Sequence, residues 1–351
     1  MPWTAAGRHA DLSGVRPPRY RGAVPSLSPV IAEIRLAVRT ALDDLPKGST
    51  VVVALSGGAD SLALAAATAF EGAKLGLRTA SLTVDHGLQD DSDAVASRAA
   101  RTAAALGLDA LIVRVEVGAE GGPEAAAREA RYRVLADAAA DVKASAVLLG
   151  HTLDDQAETV LLGLARGSGA ASLQGMAVTR TDDDGLRWVR PLLGVRRETT
   201  RAFCAASGLE VWDDPHNTDD RFARVRVRER VLPVLEAELG PGIAEALVRT
   251  AEQLREDAEA FDEMIHETIE DIVEHAEAGI SVSVAALAAN PAALRNRIIR
   301  LVVDSEFGVS LTRLQTLEVA RLVTDWSGQG PIDLPGCSAA RAGGRVVFTA
   351  R

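Results

Sequence analysis

Residues 51–70 read VVVALSGGADSLALAAATAF. The first five are apolar or β-branched and predict a buried strand, whereas the Ala/Leu-rich stretch from Asp60 to Phe70 predicts a helix. Between them lies Ser56-Gly57-Gly58-Ala59-Asp60-Ser61, where two glycines let the backbone come close to an anion. The backbone N–H groups of this turn, its hydroxyls and the positive end of the following helix can cradle a phosphate. A triphosphate ligand is therefore predicted.

The same alternation of strand and helix continues along the chain. Strands are predicted near residues 79–84, 110–117 and 146–150, and helices at 91–106, 123–140 and 154–166. Such βαβ units predict an α/β fold with a Rossmann-like parallel sheet, helices on both faces, and ligands at the carboxyl ends of the strands. The glycine loop has neither the lysine of a Walker motif nor a G-x-G-x-x-G pattern.

Three parts of the chain differ in pattern. Residues 1–29 mix Pro, Gly, Arg and Ser and predict a disordered arm, and residues 30–235 carry the α/β alternation. Residues 236–351 begin with a long amphipathic helix through Ile243 to Ile272, followed by helical patterns and a strand near residues 345–348. We expect them to form a smaller, mainly helical domain.

Composition and charge limit the class of protein. No run of 18 apolar residues and no signal pattern occurs, so we expect a cytoplasmic protein without a membrane span. Cys204 and Cys337 lack CxxC spacing, which argues against a zinc or iron–sulfur site. The net charge is -11, but residues 236–277 hold fourteen acids and two arginines, whereas residues 187–230 hold ten arginines and seven acids. RNA therefore remains a possible partner.

A second polar cluster, GHTLDDQAET at residues 150–159, again joins a strand end to a helix. Asp155 and Glu158 are three apart and share a helical face, and His151 can reach the same side. Paired carboxylates there can orient an ammonium group or a metal ion. The alternative is an Asp that caps the helix and a Glu that is exposed to solvent.

Three further segments stand out in the sequence. EAAAREARY at residues 124–132 ends with Arg131 and Tyr132, and Val84-Asp85-His86-Gly87-Leu88 closes the second predicted strand. RVRVRERVLP at residues 224–233 places Arg224 and Arg228 four apart, on one helical face. The alternatives are a structural loop histidine at His86 and arginines that solvate a surface helix.

Together these segments resemble the tRNA(Ile)-lysidine synthetase family of PP-loop ATP pyrophosphatases. The resemblance covers residues 48–235 and the LPGC turn at 334–337, where Cys337 replaces the family's glycine; Thr218 also follows Asn217 where the commoner order places Ser first. It implies a domain at 30–235 that binds ATP, with the domain at 236–351 assisting tRNA binding. The implied ATP-binding residues are Ser56, Gly57, Gly58, Ala59, Asp60, Ser61, Val84 and His86, with Asp60 positioning Mg²⁺.

The resemblance also implies roles for the polar residues. Those for catalysis and lysine binding are Asp60, Arg131, His151, Asp155 and Glu158, and those for tRNA binding are Arg197, Arg224 and Arg228. The implied reaction adenylates the wobble cytosine of tRNA(Ile) with a CAU anticodon, releases pyrophosphate, and then joins L-lysine with release of AMP. A homodimer is expected from the resemblance alone. Alternatives are a tRNA thiolation enzyme, an amidotransferase-linked synthetase and a non-catalytic nucleotide-binding module.

Overall fold

The computed structural model describes residues 28–85, 87, 92–115, 123–167, 169–214, 218–276 and 279–351. Residues 1–27 of the predicted arm, His86, Leu88 and residues 215–217 lie outside the described residues. The arm was predicted to extend to residue 29, but Pro29 is already the first residue of a helix that Ser28 precedes as N-cap. The chain divides into two compact units, one ending at Gln253 and the other comprising Leu254–Arg351.

The first unit alternates strands and helices as the sequence predicts. Its strands are β1 Thr50–Ala54, β2 Arg78–Asp85, β3 Asp109–Arg114, β4 Ala144–Leu148, β5 Thr179–Thr181 and β6 Arg187–Val189. Its helices are α1 Pro29–Leu42, α2 Ala59–Leu75, α3 Ser92–Leu106, α4 Pro123–Asp141, α5 Leu153–Ala165, α6 Ala170–Leu173, α7 Arg197–Ala206, α8 Ala223–Arg226 and α9 Leu232–Leu239. A π-helical turn, Val227–Val231, joins α8 to α9.

The strands form one sheet in the order β3-β2-β1-β4-β6-β5. All neighbouring pairs are parallel except β5 with β6. From β1 the chain continues to β2 and β3 on one side, and it then returns to β4 on the other side of β1. The carboxyl ends of β1 and β4 therefore form a topological switch point, which is where α/β sheets bind ligands. The glycine loop follows β1, and the second polar cluster follows β4.

Both faces of this sheet are covered. Alternate strand residues such as Val51, Val53 and Leu148 pack on one face with α1, α2 and α7. Val52 and Val147 point to the other face, where they pack with residues of α4. A period of two in a strand buried on both sides produces this division, which is why the strand sequences read as continuous apolar runs.

A long helix, α10 Ile243–Ile272, follows the Gly-Pro-Gly break at residues 240–242, and its residues from Leu254 onward belong to the second unit. The other helices of that unit are α11 Val284–Ala289, α12 Ala292–Phe307 and α13 Arg313–Thr324. Its strands are β7 Val273–Ala276, β8 Gly279–Ser283, β9 Ile332–Leu334, β10 Cys337–Ala342 and β11 Arg345–Ala350.

The second unit contains more sheet than its sequence pattern indicates. The five strands pair antiparallel in the order β7-β8-β11-β10-β9, and their inward residues, such as Val282, Ala339 and Phe348, pack with α12 and α13 in a separate core. Only β11 was predicted. None of the helices in the described part of the chain contains an apolar stretch that could span a membrane.

Candidate active site

The loop after β1 is shaped by hydrogen bonds between its own residues. Gly57 has a φ of +87°, a conformation that glycine adopts without strain. The Ser56 N–H donates to Ser61 Oγ at 3.2 Å, and the Ser61 hydroxyl donates to the Gly58 carbonyl at 3.0 Å. No side chain of the described residues caps the start of α2, so its first amides are available to an anion.

The loop after β4 lies directly against the predicted phosphate-binding loop, residues 56–61. A Cβ atom at Gly150 would lie 3.1 Å from the Ser61 amide nitrogen and 3.2 Å from the Asp60 carbonyl carbon, closer than side-chain atoms normally approach backbone. The glycine loop also contacts residue 212, because the Gly57 carbonyl accepts a hydrogen bond of 3.0 Å from the Trp212 N–H. The two polar clusters of the sequence therefore form one site.

Asp155 caps helix α5, as the alternative interpretation expected, and also pairs with an arginine; its role in orienting a ligand stays a prediction. Its Oδ2 accepts from the Thr152 N–H at 2.9 Å and from the Thr152 hydroxyl at 2.8 Å, which completes a capping box at the start of α5. Its Oδ1 accepts from Arg197 Nη2 at 2.8 Å. The cap thus fixes the carboxylate while leaving its second oxygen facing the site.

Glu158 is fully buried, not solvent-exposed as the alternative interpretation expected. Arg228 donates to it through Nε, 2.7 Å from Oε1, and Nη2, 3.1 Å from Oε2. Arg197 Nη1 donates to Oε1 at 3.1 Å, and Arg224 Nε lies 3.8 Å from Oε2. The three arginines predicted to contact tRNA therefore converge on a buried carboxylate of the site, and their role in tRNA binding stays a prediction.

Arg197 connects this carboxylate cluster to the phosphate-binding loop. Besides Asp155 and Glu158, it reaches Asp60, whose Oδ2 lies 3.6 Å from its Nε. Its backbone N–H donates to Asp154 Oδ2 at 2.8 Å, which fixes the first turn of α7 to α5. One guanidinium thus lies between the carboxylates of both motifs.

The electrostatics of the cluster follow from burial and these ion pairs. Burial acts to raise the pKa of Asp155, but the charge of Arg197 and the Thr152 hydrogen bonds outweigh it and hold that pKa below its usual value. Burial raises the pKa of Asp60, although the Thr200 hydrogen bond and the Arg197 charge oppose the shift. Arg197 is itself buried, which lowers its pKa, but Asp155 and Glu158 raise the pKa by more. The guanidinium is therefore charged at all relevant pH values.

A cavity of about 200 Å³ opens beside Glu158. It combines carboxylates and guanidiniums with an apolar wall. Its charged lining residues are Asp154, Glu158, Glu236, Arg196, Arg197 and Arg228, and its apolar lining residues are Leu232, Pro233 and Ala244. Such a lining can contact both the charged groups and an aliphatic part of a small ligand.

The other predicted residues lie at the carboxyl edge of the sheet or on helices beside it. Val84 is the penultimate residue of β2, and the Asp85 carboxylate accepts the Gly87 N–H at 3.0 Å in the turn that follows. His151 lies half-buried between β4 and α5. Arg131 is half-buried in the third turn of α4. The roles of all three stay predictions.

Sequence reasoning missed several residues that build the site. Gln156 of the second cluster is a structural residue, because its amide exchanges two hydrogen bonds with the Met176 backbone, at 2.8 and 2.6 Å. Thr200 donates to Asp60, and Arg196 binds Glu245 through two hydrogen bonds. Their partners are distant in sequence, so no spacing pattern indicated them.

The doubly wound sheet, the glycine loop at its switch point and the absence of a Walker lysine define a PP-loop ATP-binding protein. Two family models agree with the two units: a PP-loop domain matches residues 32–235, and a TilS substrate binding domain matches residues 283–347. The chain belongs to the tRNA(Ile)-lysidine synthase family. Use of ATP and the α/β fold class are thereby confirmed.

Curated relatives match over most of their length. The chain is 59% identical over 306 residues to the tRNA(Ile)-lysidine synthase of Leifsonia xyli subsp. xyli, covering 87% of this chain and 91% of that protein. It is 50% identical over 327 residues to that of Thermobifida fusca, covering 92% and 98%. The U34-tRNA thiolase NcsA from Methanococcus maripaludis with its [4Fe-4S] cluster has a similar fold, with a TM-score of 0.56 and 21% identity over 65% of this chain and 80% of that one.

Proposed function

We propose that this protein joins L-lysine to C2 of the wobble cytosine in the CAU anticodon of tRNA(Ile), forming lysidine with conversion of ATP to AMP and pyrophosphate. The observation that carries the proposal is Arg197, which contacts Asp60 of the phosphate-binding loop and the Asp155–Glu158 pair with one guanidinium. Nucleotide activation and amine attack would therefore take place in one site. The names of the curated relatives support the same reaction.

In the first step the loop after β1 binds the β and γ phosphates of ATP. The amides at the start of α2 and the positive end of that helix stabilise the departing pyrophosphate. The cytosine O2 attacks the α phosphorus, and the bond to pyrophosphate breaks. An anticodon-loop base suits this step, since only an unstacked base can present its edge to a pocket.

Mg²⁺ fits beside Asp60. Magnesium in nucleotide sites is commonly held by one or two carboxylates together with phosphate oxygens and water, and Asp60 places one carboxylate at the phosphate-binding loop. When bound, the ion offsets the charge of the pyrophosphate. Asp60 lies in the first turn of α2, with its side chain 25% exposed, so it can reach a ligand in the loop.

In the second step the lysine side-chain amine attacks C2 of the adenylated cytosine, and AMP leaves. We propose that lysine enters the cavity beside Glu158, where the apolar wall of Leu232, Pro233 and Ala244 contacts its methylene groups. Glu158, which lines the cavity, and Asp155, on the same face of α5, would orient the ammonium, and one of the two would accept the proton that the amine must lose before attack. Arg131 or a guanidinium of the cluster binds the lysine carboxylate.

The thiolation alternative has little support from this site. A thiolase needs cysteines or a cluster to carry sulfur. Cys204 belongs to the first unit and Cys337 to the second, and both are buried. Burial, with the nearby Asp60 charge, raises the pKa of the Cys204 thiol to about 11. The described part of the chain has no group of three or more His, Cys, Asp or Glu side chains placed to hold a metal ion.

The test incubates the protein with ATP, Mg²⁺, radiolabelled lysine and an RNA hairpin with a CAU anticodon. We expect label in the RNA with wild type and with Glu198→Ala, an exposed acid on α7, but not with Asp60→Ala or Glu158→Ala. Circular dichroism shows whether the inactive variants are folded, and Asp60→Asn provides a milder change. No label with folded wild type would refute the proposal, and sedimentation equilibrium tests the expected homodimer.

A further inference from the structure

Helix α7 presents one face to the phosphate-binding loop. Arg197, Thr200 and Cys204 are three and four residues apart, so they lie on one side of the helix. Arg197 Nε lies 3.6 Å from Asp60 Oδ2, the Thr200 hydroxyl donates to Asp60 Oδ1, and Cys204 Sγ lies 3.4 Å from the Ala59 carbonyl oxygen. Helix α7, more than 130 residues later in the chain, thus contacts the first turn of α2 through these three side chains.

The Thr200 hydroxyl has two possible acceptors and one proton. It lies within hydrogen-bonding distance of Asp60 Oδ1 and also 2.7 Å from the Arg197 carbonyl oxygen, the residue three before it in the same helix. A buried threonine in a helix is commonly satisfied by such a carbonyl alone. Thr200 therefore does not need Asp60 to be satisfied, whereas Oδ1 of Asp60 depends on Thr200 for its charge-assisted hydrogen bond.

The two oxygens of Asp60 have different neighbours as a result. Oδ1 faces Thr200, which is fully buried, and Oδ2 faces Arg197. Contacts on both oxygens fix the plane of the carboxylate, although the Asp60 side chain remains 25% exposed. A carboxylate that can rotate would lose conformational entropy on binding a cation, and one held in place loses less.

We propose that Thr200 is a positioning residue that holds the Asp60 carboxylate in the orientation that receives the magnesium ion of Mg·ATP. The proposal rests on the function proposed above, since it takes Asp60 as the residue at the metal–nucleotide complex. Thr200 acts through Asp60 and touches neither nucleotide nor metal.

The test measures ATP binding by calorimetry with Mg²⁺ and with EDTA. Thr200→Val keeps the shape of the side chain and removes the hydroxyl, and Thr200→Ala serves as a second variant if the valine protein does not fold. We expect either variant to bind ATP about tenfold more weakly with Mg²⁺, in line with loss of one charge-assisted hydrogen bond, and unchanged with EDTA. Thr200→Ser should restore binding to within about twofold.

The matched control is Thr199→Val, which makes the same change one residue earlier, at a half-buried position about 100° around α7 from Thr200. Three results would each overturn the role of Thr200. The valine variant could bind ATP equally weakly with and without Mg²⁺, or it could bind Mg·ATP as tightly as wild type does. The third is a serine variant that binds Mg·ATP as weakly as the valine variant. Wild-type protein that binds no ATP under either condition would refute the proposed function itself.

Discussion

Arg228 and Glu158 form a bidentate ion pair, with Nε 2.7 Å from Oε1 and Nη2 3.1 Å from Oε2. The glutamate side chain is fully buried, and that of Arg228 is 22% exposed. Glu158 also receives Arg197, so its removal takes a buried counter-charge away from two guanidiniums. Breaking a buried pair by removing one partner is strongly destabilising, because the remaining charge stays desolvated.

We therefore predict that Glu158→Gln destabilises the first unit by about 3–5 kcal/mol. Urea unfolding followed by tryptophan fluorescence measures the change. The control is Asp220→Asn, which breaks the exposed Asp220–Arg230 pair and should change stability by less than about 1 kcal/mol. Equal unfolding midpoints for the Gln variant and wild type would show that the ion pairs of Glu158 do not stabilise the first unit.

Asp60 gives a pH-dependent prediction. Burial raises its pKa, so it ionises more readily in the unfolded chain than in the folded one. The folded state therefore loses stability as pH rises from the pKa of the unfolded chain, about 3.9, to the higher pKa of the folded protein. Above the folded pKa this loss of stability is complete. Asp60→Asn should raise the melting temperature at pH 7.5, by an amount that shrinks towards pH 4, while abolishing activity.

Thermal unfolding at pH 7.5, 5.5 and 4 checks this prediction for Asp60. Asp109→Asn, at an exposed position at the start of β3, should leave the melting temperature unchanged at each pH. A lower melting temperature for Asp60→Asn at pH 7.5 would mean that the contacts with Thr200 and Arg197 outweigh the desolvation of the carboxylate.

The parts of the fold that sequence reasoning predicted are those with local determinants. The strand, loop and helix of residues 51–70 follow from a short apolar run, two glycines and a helix-forming stretch, all within twenty residues. The second unit was harder to predict. β10 reads CSAARA, with no β-branched residue, and β7 follows α10 without any break, so neither carries a strand signal.

The motifs of the site could be predicted from the sequence, but the ion pairs between them could not. The spacing of Arg224 and Arg228 predicted a shared face, and both do approach Glu158. Their partner lies about seventy residues earlier in the chain, and a π-helical turn stands where a regular helix was expected. Only the tertiary fold brings these charges together, and the π turn adds a residue that no periodic pattern predicts.

Cys204 provides a chemical test between ligation and thiolation. Burial and the Asp60 charge raise the pKa of its thiol to about 11, so roughly one molecule in a thousand carries a thiolate at pH 8. We predict that native protein alkylates at Cys204 much more slowly than urea-unfolded protein. We also predict that Cys204→Ala still forms lysidine, because the thiol takes no part in the reaction.

Mass spectrometry of the RNA product and of alkylated peptides measures both effects of the Cys204 change. Cys337→Ala, in the second unit, is the matched control for loss of a buried thiol. A sulfur-containing base in the wild-type product, lost in the Cys204 variant, would favour the thiolation alternative.

We predict that a side chain at Gly150 disturbs the contact between the loops after β1 and β4. A Cβ atom there would lie 3.1 Å from the Ser61 amide nitrogen and 3.2 Å from the Asp60 carbonyl carbon, both of them backbone atoms that cannot rotate away. Gly150→Ala should therefore push the loop after β4 away from the phosphate-binding loop, at a cost of about 1–3 kcal/mol. Because Asp60 and Asp155 then separate, we expect activity to fall by more than tenfold.

Urea unfolding and the lysine-labelling assay on the same preparations measure the two effects of Gly150→Ala. Gly169→Ala is the control, since a Cβ at Gly169 meets nothing within 4 Å among the described residues. The added methyl group meets the phosphate-binding loop in the Gly150 variant and no described atom in the Gly169 variant. Full activity in Gly150→Ala would mean that the loops after β1 and β4 need not touch for the reaction. Only Arg197 would then join the phosphate-binding loop to the carboxylates proposed to bind lysine.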